Sequence, residues 1–134
     1  MDEVPLADLR QLRTLCPGVE LVQVVHVVDA DSVQQALDVA PWVDKLLLDS
    51  GNPKLAVKTL GGTGRTHNWA LSRQIVQRSR VPVLLAGGLN AGNVQAALAQ
   101  VQPFGLDICS GVRSADQLDA EKLSAWVAQA HFAM

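Results

Sequence analysis

The sequence predicts an α/β fold, a parallel sheet of about four βα units, from three observations. Short apolar runs without polar alternation, such as residues 45–49, are typical of strands that are covered on both faces. Segments with helical spacing of apolar residues lie between these runs, and glycine or proline turns bound them. Because a helical segment precedes each strand, we expect right-handed crossovers between parallel strands.

The first half of the chain supplies two helices and the first two strands. Leucines at three-residue steps predict a helix over residues 5–15, and the β-branched residues 19–28 predict a buried strand. Asp29 or Asp31 can cap the second helix, whose apolar stripe ends at Pro41. The apolar strand named above follows this helix.

The second half continues the same alternation of helices and strands. The expected elements are a helix over 69–80, a strand over 81–86, a helix to about 101, a strand over 106–109 and a helix over 120–130. Asn90 or Asn93 can cap the middle helix.

The composition describes an ordinary globular protein, with 49% hydrophobic and 18% charged residues. No low-complexity segment or polar linker divides the chain, so we expect a single domain over residues 1–134. This length is too short for a complete eight-stranded barrel, which needs about 250 residues. The net charge of -2 offers no bulk attraction for nucleic acid or an anionic membrane, and neither is expected as a partner.

Cysteine usage and the amino-terminal sequence indicate a cellular location. Cys16 and Cys109 lie far apart and lack metal-ligand spacing, so neither a disulfide framework nor a metal site is expected. The first residues are acidic and lack the apolar core of a signal peptide, and no run of about eighteen apolar residues occurs. We therefore expect a reduced, cytoplasmic protein.

Ligand chemistry is expected at the carboxyl ends of the strands, because the loops that follow parallel strands converge there. Asp49 ends one strand and precedes a glycine-rich loop that contains Gly62, Thr63 and Gly64. Glycines allow close backbone approach, and Arg65 and His67 add donors. The pattern predicts a loop that holds an anion.

Two further glycine turns follow the last two strands, one with Gly87 and Gly88, the other with Ser110 and Gly111. They lie one βα unit apart and should be neighbours in space. N–H groups freed by such turns, beside helix N-termini, make a phosphate site. The alternative is that these glycines only make tight turns.

Asp49 and Asp107 are the candidate catalytic carboxylates. A carboxyl group held partly away from water stays protonated more readily, which suits a general acid. Either residue can instead be a structural aspartate bonded to backbone amides. His26 is a candidate base or a satisfied core residue, and Cys109 either shares the face of Asp107 or is a small buried hydrophobe.

Four linked motifs, LLLDS, GGTGRTHNW, PVLLAGGLNAGNV and PFGLDICSGVR, resemble the carboxyl-terminal part of phosphoribosylanthranilate isomerase from about Leu21 onward. The resemblance implies a partial (β/α)8, or TIM, barrel that consists of strands five to eight. It also implies the Amadori rearrangement of N-(5-phosphoribosyl)anthranilate to 1-(2-carboxyphenylamino)-1-deoxyribulose 5-phosphate, a step of tryptophan biosynthesis that needs no metal or cofactor.

The resemblance also implies roles for individual residues. Asp49 corresponds to the general acid that protonates the ribose ring oxygen, and Asp107 to the aspartate that orients the anthranilate amine. The phosphate-binding turns are those of Gly87, Gly88, Ser110 and Gly111, and the mobile active-site loop contains Gly62, Thr63 and Gly64.

The sequence also departs from the family pattern. The family's first four strands are absent, and with them the general-base cysteine and the arginine that binds the anthranilate carboxylate. His67 and Asn68 stand where the family commonly has an aromatic residue and aspartate, and Cys109 replaces a common serine.

A half barrel exposes two sheet edges, which invites pairing with a second copy or with the missing amino-terminal half. The expected partner molecule is a phosphosugar substrate. One alternative is a catalytically inactive half barrel that binds a phosphosugar or acts as a regulatory or assembly module. Another is an enzyme in which Cys109 replaces the missing base.

Overall fold

The computed structural model of the chain describes residues 4–49 and 69–132. The helices in these ranges are α1 (Leu6–Leu15), α2 (Asp31–Val39), α3 (Trp69–Arg78), α4 (Val94–Val101) and α5 (Ala120–Phe132). The strands are β1 (Val22–His26), β2 (Lys45–Asp49), β3 (Val83–Leu85), β4 (Gly105–Leu106), β5 (Arg113–Ser114) and β6 (Gln117–Leu118).

The first four of these strands form one parallel sheet in the order β1-β2-β3-β4. Each strand therefore lies beside the next one along the chain, as in a sheet built from successive right-handed βα units. The prediction of a parallel α/β fold with four strands is confirmed.

The sheet packs its core on one face. Val25 is 2% exposed, and Leu46, Leu48 and Leu85 are fully buried. These side chains belong to the same apolar cluster as residues of the helices, including Ile75 of α3. The helix-side face therefore carries the alternate residues of each strand, as the two-residue period of a strand requires.

The strand residues that alternate with these helix-facing residues point to the opposite side of the sheet, which we call the open face. Val24, Leu47 and Leu84 lie on this face in register with Gly105. All four residues are only partly buried. The open face therefore combines an apolar layer with access to solvent.

Three of the four parallel strands are shorter than the sequence predicted, whereas β2 has the predicted limits. Strand β4 covers Gly105–Leu106, and the chain leaves the extended conformation at Cys109, where ψ is -77°. A 3-10 turn, Ser110–Val112, follows directly. The predicted strand over residues 106–109 was therefore wrong beyond Leu106, although the Asp107 N–H still donates to the Leu85 carbonyl.

The end of the second helix agrees with expectation, because α2 ends at Val39 and Pro41 follows it inside a 3-10 turn, Ala40–Trp42. In α5, Leu123 and Trp126 are partly buried, whereas Val127 is 50% exposed.

Helix α1 is tied to the sheet by one aspartate just before β2. Both guanidinium nitrogens of Arg13 donate to Asp44, at 2.8 and 3.0 Å, and the Leu21 N–H donates to the same carboxylate at 2.7 Å. The bond from Arg13 first, and then the bond from Leu21, lowers the pKa of Asp44. Asp44 therefore connects three separate segments.

Leu46 and Leu47 are adjacent in β2 and point to opposite faces of the sheet, so substitutions there compare how much each face contributes to stability. Leu46→Ala empties a fully buried site on the helix side and should lower the free energy of unfolding by about 2–5 kcal/mol. Leu47→Ala removes the same atoms from the open face and should cost clearly less. Urea denaturation of both variants checks this, and equal losses would contradict the assignment of the faces.

Asp44 should make stability depend on acid pH. Because its pKa in the folded state lies below the unfolded value of about 3.9, its contribution is present above that value and is lost as pH falls through the folded pKa. Asp44→Asn should therefore lower the melting temperature at neutral pH, with the difference from wild type shrinking in acid. Asp116→Asn, in the exposed turn between β5 and β6, is the control and should track the wild type at every pH.

Candidate active site

The strand register brings four residues into one row at the carboxyl end of the sheet. His26 of β1 pairs with Asp49 of β2. The ladder continues past β3 and β4, since the Ala86 N–H donates to the Leu48 carbonyl at 2.7 Å and the Asp107 N–H to the Leu85 carbonyl at 2.9 Å. His26, Asp49, Ala86 and Asp107 thus form what we call the carboxyl-end row, on the open face.

Asp49 and His26 are close neighbours within this row. Asp49 Oδ2 lies 3.9 Å from His26 Nδ1, and the two side chains are 35% and 16% exposed. The Asp49 carbonyl also accepts the Val27 N–H at 2.9 Å, which continues the ladder between the strands. The pair becomes an ion pair when the imidazole is protonated, so this end of the sheet holds a carboxyl group and a basic group within reach of one ligand.

His26, which the sequence offers as a candidate base or a satisfied core residue, lies on the open face and outside the helix-side cluster. The signal was present in the alternation of β1, because the buried Val25 and Val27 flank it. A residue between two helix-facing neighbours must point to the other face.

Asp107 lies in the carboxyl-end row and is exposed. Cys109 does not share its face by strand alternation, because the backbone is no longer extended there. The thiol is free and exposed, so the interpretation of Cys109 as a small buried hydrophobe was wrong.

The glycine turn after β3 has the backbone that its sequence requires. Gly87 and Gly88 have φ values of 89° and 67°, which side chains rarely tolerate. Both residues are partly buried. Within residues 4–49 and 69–132, neither amide N–H donates to a protein acceptor, so each remains able to bind an anion.

The second glycine turn touches the first, as the sequence predicted. Ser110 and Gly111 open the 3-10 turn after β4, and the backbone of Gly111 lies so close to the Leu89 carbonyl that a Cβ there would collide with it. Ser110 is exposed and Gly111 is partly buried. The two turns therefore form one continuous polypeptide surface beside Asp107.

Some predicted site residues cannot be compared with the structure. Gly62, Thr63 and Gly64, together with Arg65 and His67, lie outside the described residues. Among the residues that are described, no group of three or more His, Cys, Asp or Glu side chains could hold a metal ion. In the same part of the chain, no helix has the length and apolar character that crossing a membrane requires.

A parallel sheet that gathers carboxylates and glycine turns at its carboxyl edge defines an α/β protein of the class that binds ligands at that edge. The model of the N-(5'-phosphoribosyl)anthranilate isomerase family matches residues 6–129. The chain belongs to this family, which confirms the resemblance found in its sequence motifs.

Individual relatives support the same assignment. The chain is 43% identical over 124 residues to N-(5'-phosphoribosyl)anthranilate isomerase of Haloferax volcanii, covering 92% of this chain and 52% of the relative. It is 39% identical over 115 residues to the Nostoc punctiforme protein of that name, covering 85% and 52%. The chain thus spans about half the length of these curated relatives.

A solved structure shows the same architecture. The crystal structure of phosphoribosyl anthranilate isomerase from Thermotoga maritima superimposes with a TM-score of 0.77 at 26% sequence identity. The match covers 97% of this chain and 58% of that one.

The contact between the two glycine turns can be tested with a single methyl group. Gly111→Ala should lower the free energy of unfolding by about 1–3 kcal/mol, because the new Cβ meets the backbone carbonyl of Leu89. Gly18→Ala is the matched control, since nothing lies within 4 Å of a Cβ there and φ is not positive. Thermal denaturation should show no loss for Gly18→Ala, and a neutral Gly111→Ala would contradict the close contact.

Proposed function

We propose that this chain is the carboxyl-terminal half of a phosphoribosylanthranilate isomerase, a single domain in which β1–β4 are strands five to eight of a (β/α)8 barrel. The family match over residues 6–129 supports the assignment. The observation that carries the function is the carboxyl-end row, which places Asp49 and Asp107 beside the two glycine turns.

The proposed reaction begins at the sugar ring. The Asp49 carboxyl group gives its proton to the ring oxygen of N-(5-phosphoribosyl)anthranilate, the bond between this oxygen and C1 breaks, and the anthranilate nitrogen forms a Schiff base. Loss of the C2 proton to a base then gives the enol-amine, which tautomerises to 1-(2-carboxyphenylamino)-1-deoxyribulose 5-phosphate. Asp107 orients the amine nitrogen during these steps.

The spacing of the row supports this division of roles. Asp49 and Asp107 lie two strands apart, which corresponds to about 9–10 Å between their backbones. Aspartate side chains on one face leave room between them for a single sugar ring. Ala86 stands between the two carboxylates and contributes only a methyl group.

The 5-phosphate is assigned to the two glycine turns. The N–H groups of Gly87 and Gly88, and those of the turn that contains Ser110 and Gly111, supply the donors. In the proposal, Gly62, Thr63 and Gly64 belong to the loop that covers the substrate. No cofactor takes part, and the reaction is assigned to the cytoplasm.

The base that removes the C2 proton is not assigned to a residue of this chain. It comes with the amino-terminal half of the barrel, which covers the open face in the proposed active enzyme. The alternative function is a half barrel that binds a phosphosugar without turnover, alone or as a pair of copies. One observation favours it: both glycine turns belong to this chain, so phosphate binding needs no other part.

The test is the isomerisation of phosphoribosylanthranilate, followed by loss of its fluorescence. The purified chain is assayed alone and with the amino-terminal half of a family enzyme. We expect turnover in the mixture, and Asp49→Asn should lower it by about 10²–10⁴-fold, because the general acid is lost. Asp116→Asn, in an exposed turn, should leave the rate unchanged.

Two other outcomes decide between the proposals. A folded chain that binds ribose 5-phosphate but gives no turnover in the mixture would support the binding module. A folded chain that neither turns over substrate nor binds the sugar phosphate would contradict both functions.

A further inference from the structure

Asn93 stands at the N-cap of α4 but does not cap this helix. The residue has the expected position, directly before Val94, yet its side chain makes no capping hydrogen bond. Its Nδ2 instead donates to the Gly88 carbonyl at 2.8 Å, and its Oδ1 accepts the Asn90 N–H at 2.9 Å. A side chain that the sequence offered as one of two possible helix caps therefore bonds to the glycine turn.

These two bonds fix two successive peptide planes. The Gly88 carbonyl and the Leu89 N–H belong to one trans peptide unit, so they point in opposite directions. Because the carbonyl points to Asn93, the Leu89 N–H points away from it. In the next unit the Asn90 N–H points to Asn93, and the Leu89 carbonyl therefore points away, toward Gly111.

The side chain of Asn90 holds Asn93 in place. Asn90 Oδ1 accepts the backbone N–H groups of Gly92 at 2.8 Å and of Asn93 at 3.1 Å. Both asparagine side chains are partly buried, and the following helix is anchored by the fully buried Val94. The network thus connects a rigid helix start to a glycine turn whose backbone would otherwise be free to rotate.

We propose that Asn93 is a positioning residue for phosphate: its side-chain amide fixes the peptide planes on either side of Leu89 and so restrains the backbone of Gly88, whose N–H and that of Gly87 are the proposed donors to the anion. This inference rests on the proposed function, because it concerns the same phosphate site. Asn93 does not touch the phosphate and acts through the backbone of Gly88. Without Asn93, the free energy of phosphate binding is reduced, because the glycine turn must then become ordered when phosphate binds.

Asparagine is the side chain that this position requires. One end must donate to a carbonyl and the other must accept an N–H, and a primary amide does both. Asn93→Asp keeps the shape but places a carboxylate oxygen against the Gly88 carbonyl. Asn93→Ser keeps a residue that is favourable at a helix N-terminus but is too short to bridge both backbone groups.

The experiment titrates the full chain with inorganic phosphate and follows the amide resonances of Gly87, Gly88 and Gly111 by NMR. We expect wild type to show saturable shifts at these amides. Asn93→Ser should weaken phosphate binding on the order of tenfold, because the turn must then be ordered when phosphate binds, while the resonances of α4 keep their positions. Gln95→Ser, at an exposed position of the same helix, is the matched control and should bind like wild type.

The outcomes separate this inference from the function on which it rests. Wild-type affinity in a folded Asn93→Ser would overturn the role of Asn93 and leave the phosphate site intact. If Asn93→Ser does not fold, the isosteric Asn93→Asp gives the answer, since unchanged phosphate binding there would overturn the role equally. If wild type itself shows no shift at the glycine amides, the proposed phosphate site fails and the inference fails with it.

Discussion

The register of the parallel ladder decides which side chains of this sheet share a face. His26 pairs with Asp49, and the ladder bonds from Ala86 and Asp107 carry the same alignment across the remaining strands. A slip of one residue in β2 or β3 would move its last side chain to the opposite face and would turn a core leucine toward solvent. The apolar burial on the helix side therefore holds the polar row in position on the other side.

The positions of the two glycine turns also depend on this parallel ladder. They follow β3 and β4, so the pairing of these strands sets the distance between them. The close approach of Gly111 to the Leu89 carbonyl is possible only because no side chain intervenes. The phosphate site that we propose is thus a product of sheet register and of glycine backbone, and no long side chain builds it.

Sequence patterns predicted the buried elements well, because positions buried on the helix side are occupied by apolar residues. Residues 45–49 were predicted as a strand, and the structure has the same limits for β2. The predicted end of β4 was wrong because the chain leaves the extended conformation at Cys109, next to the turn in which Gly111 packs against the Leu89 carbonyl. This packing involves a distant segment and is not visible in the local sequence. Asn90 and Asn93 were both predicted as possible caps, because local sequence does not show that Gly88 lies within reach of Asn93.

The open face links the stability of this chain to the chemistry at its edge. The apolar layer of Val24, Leu47 and Leu84 lies directly below the carboxyl-end row and is only partly buried. Any partner that covers this layer also removes water from around Asp49 and His26, because both groups stand on the same face. Excluding water strengthens the electrostatic interactions of a carboxyl group. In the proposed enzyme, the amino-terminal half of the barrel covers the open face. The same contact therefore completes the barrel and excludes water from the Asp49 carboxyl group.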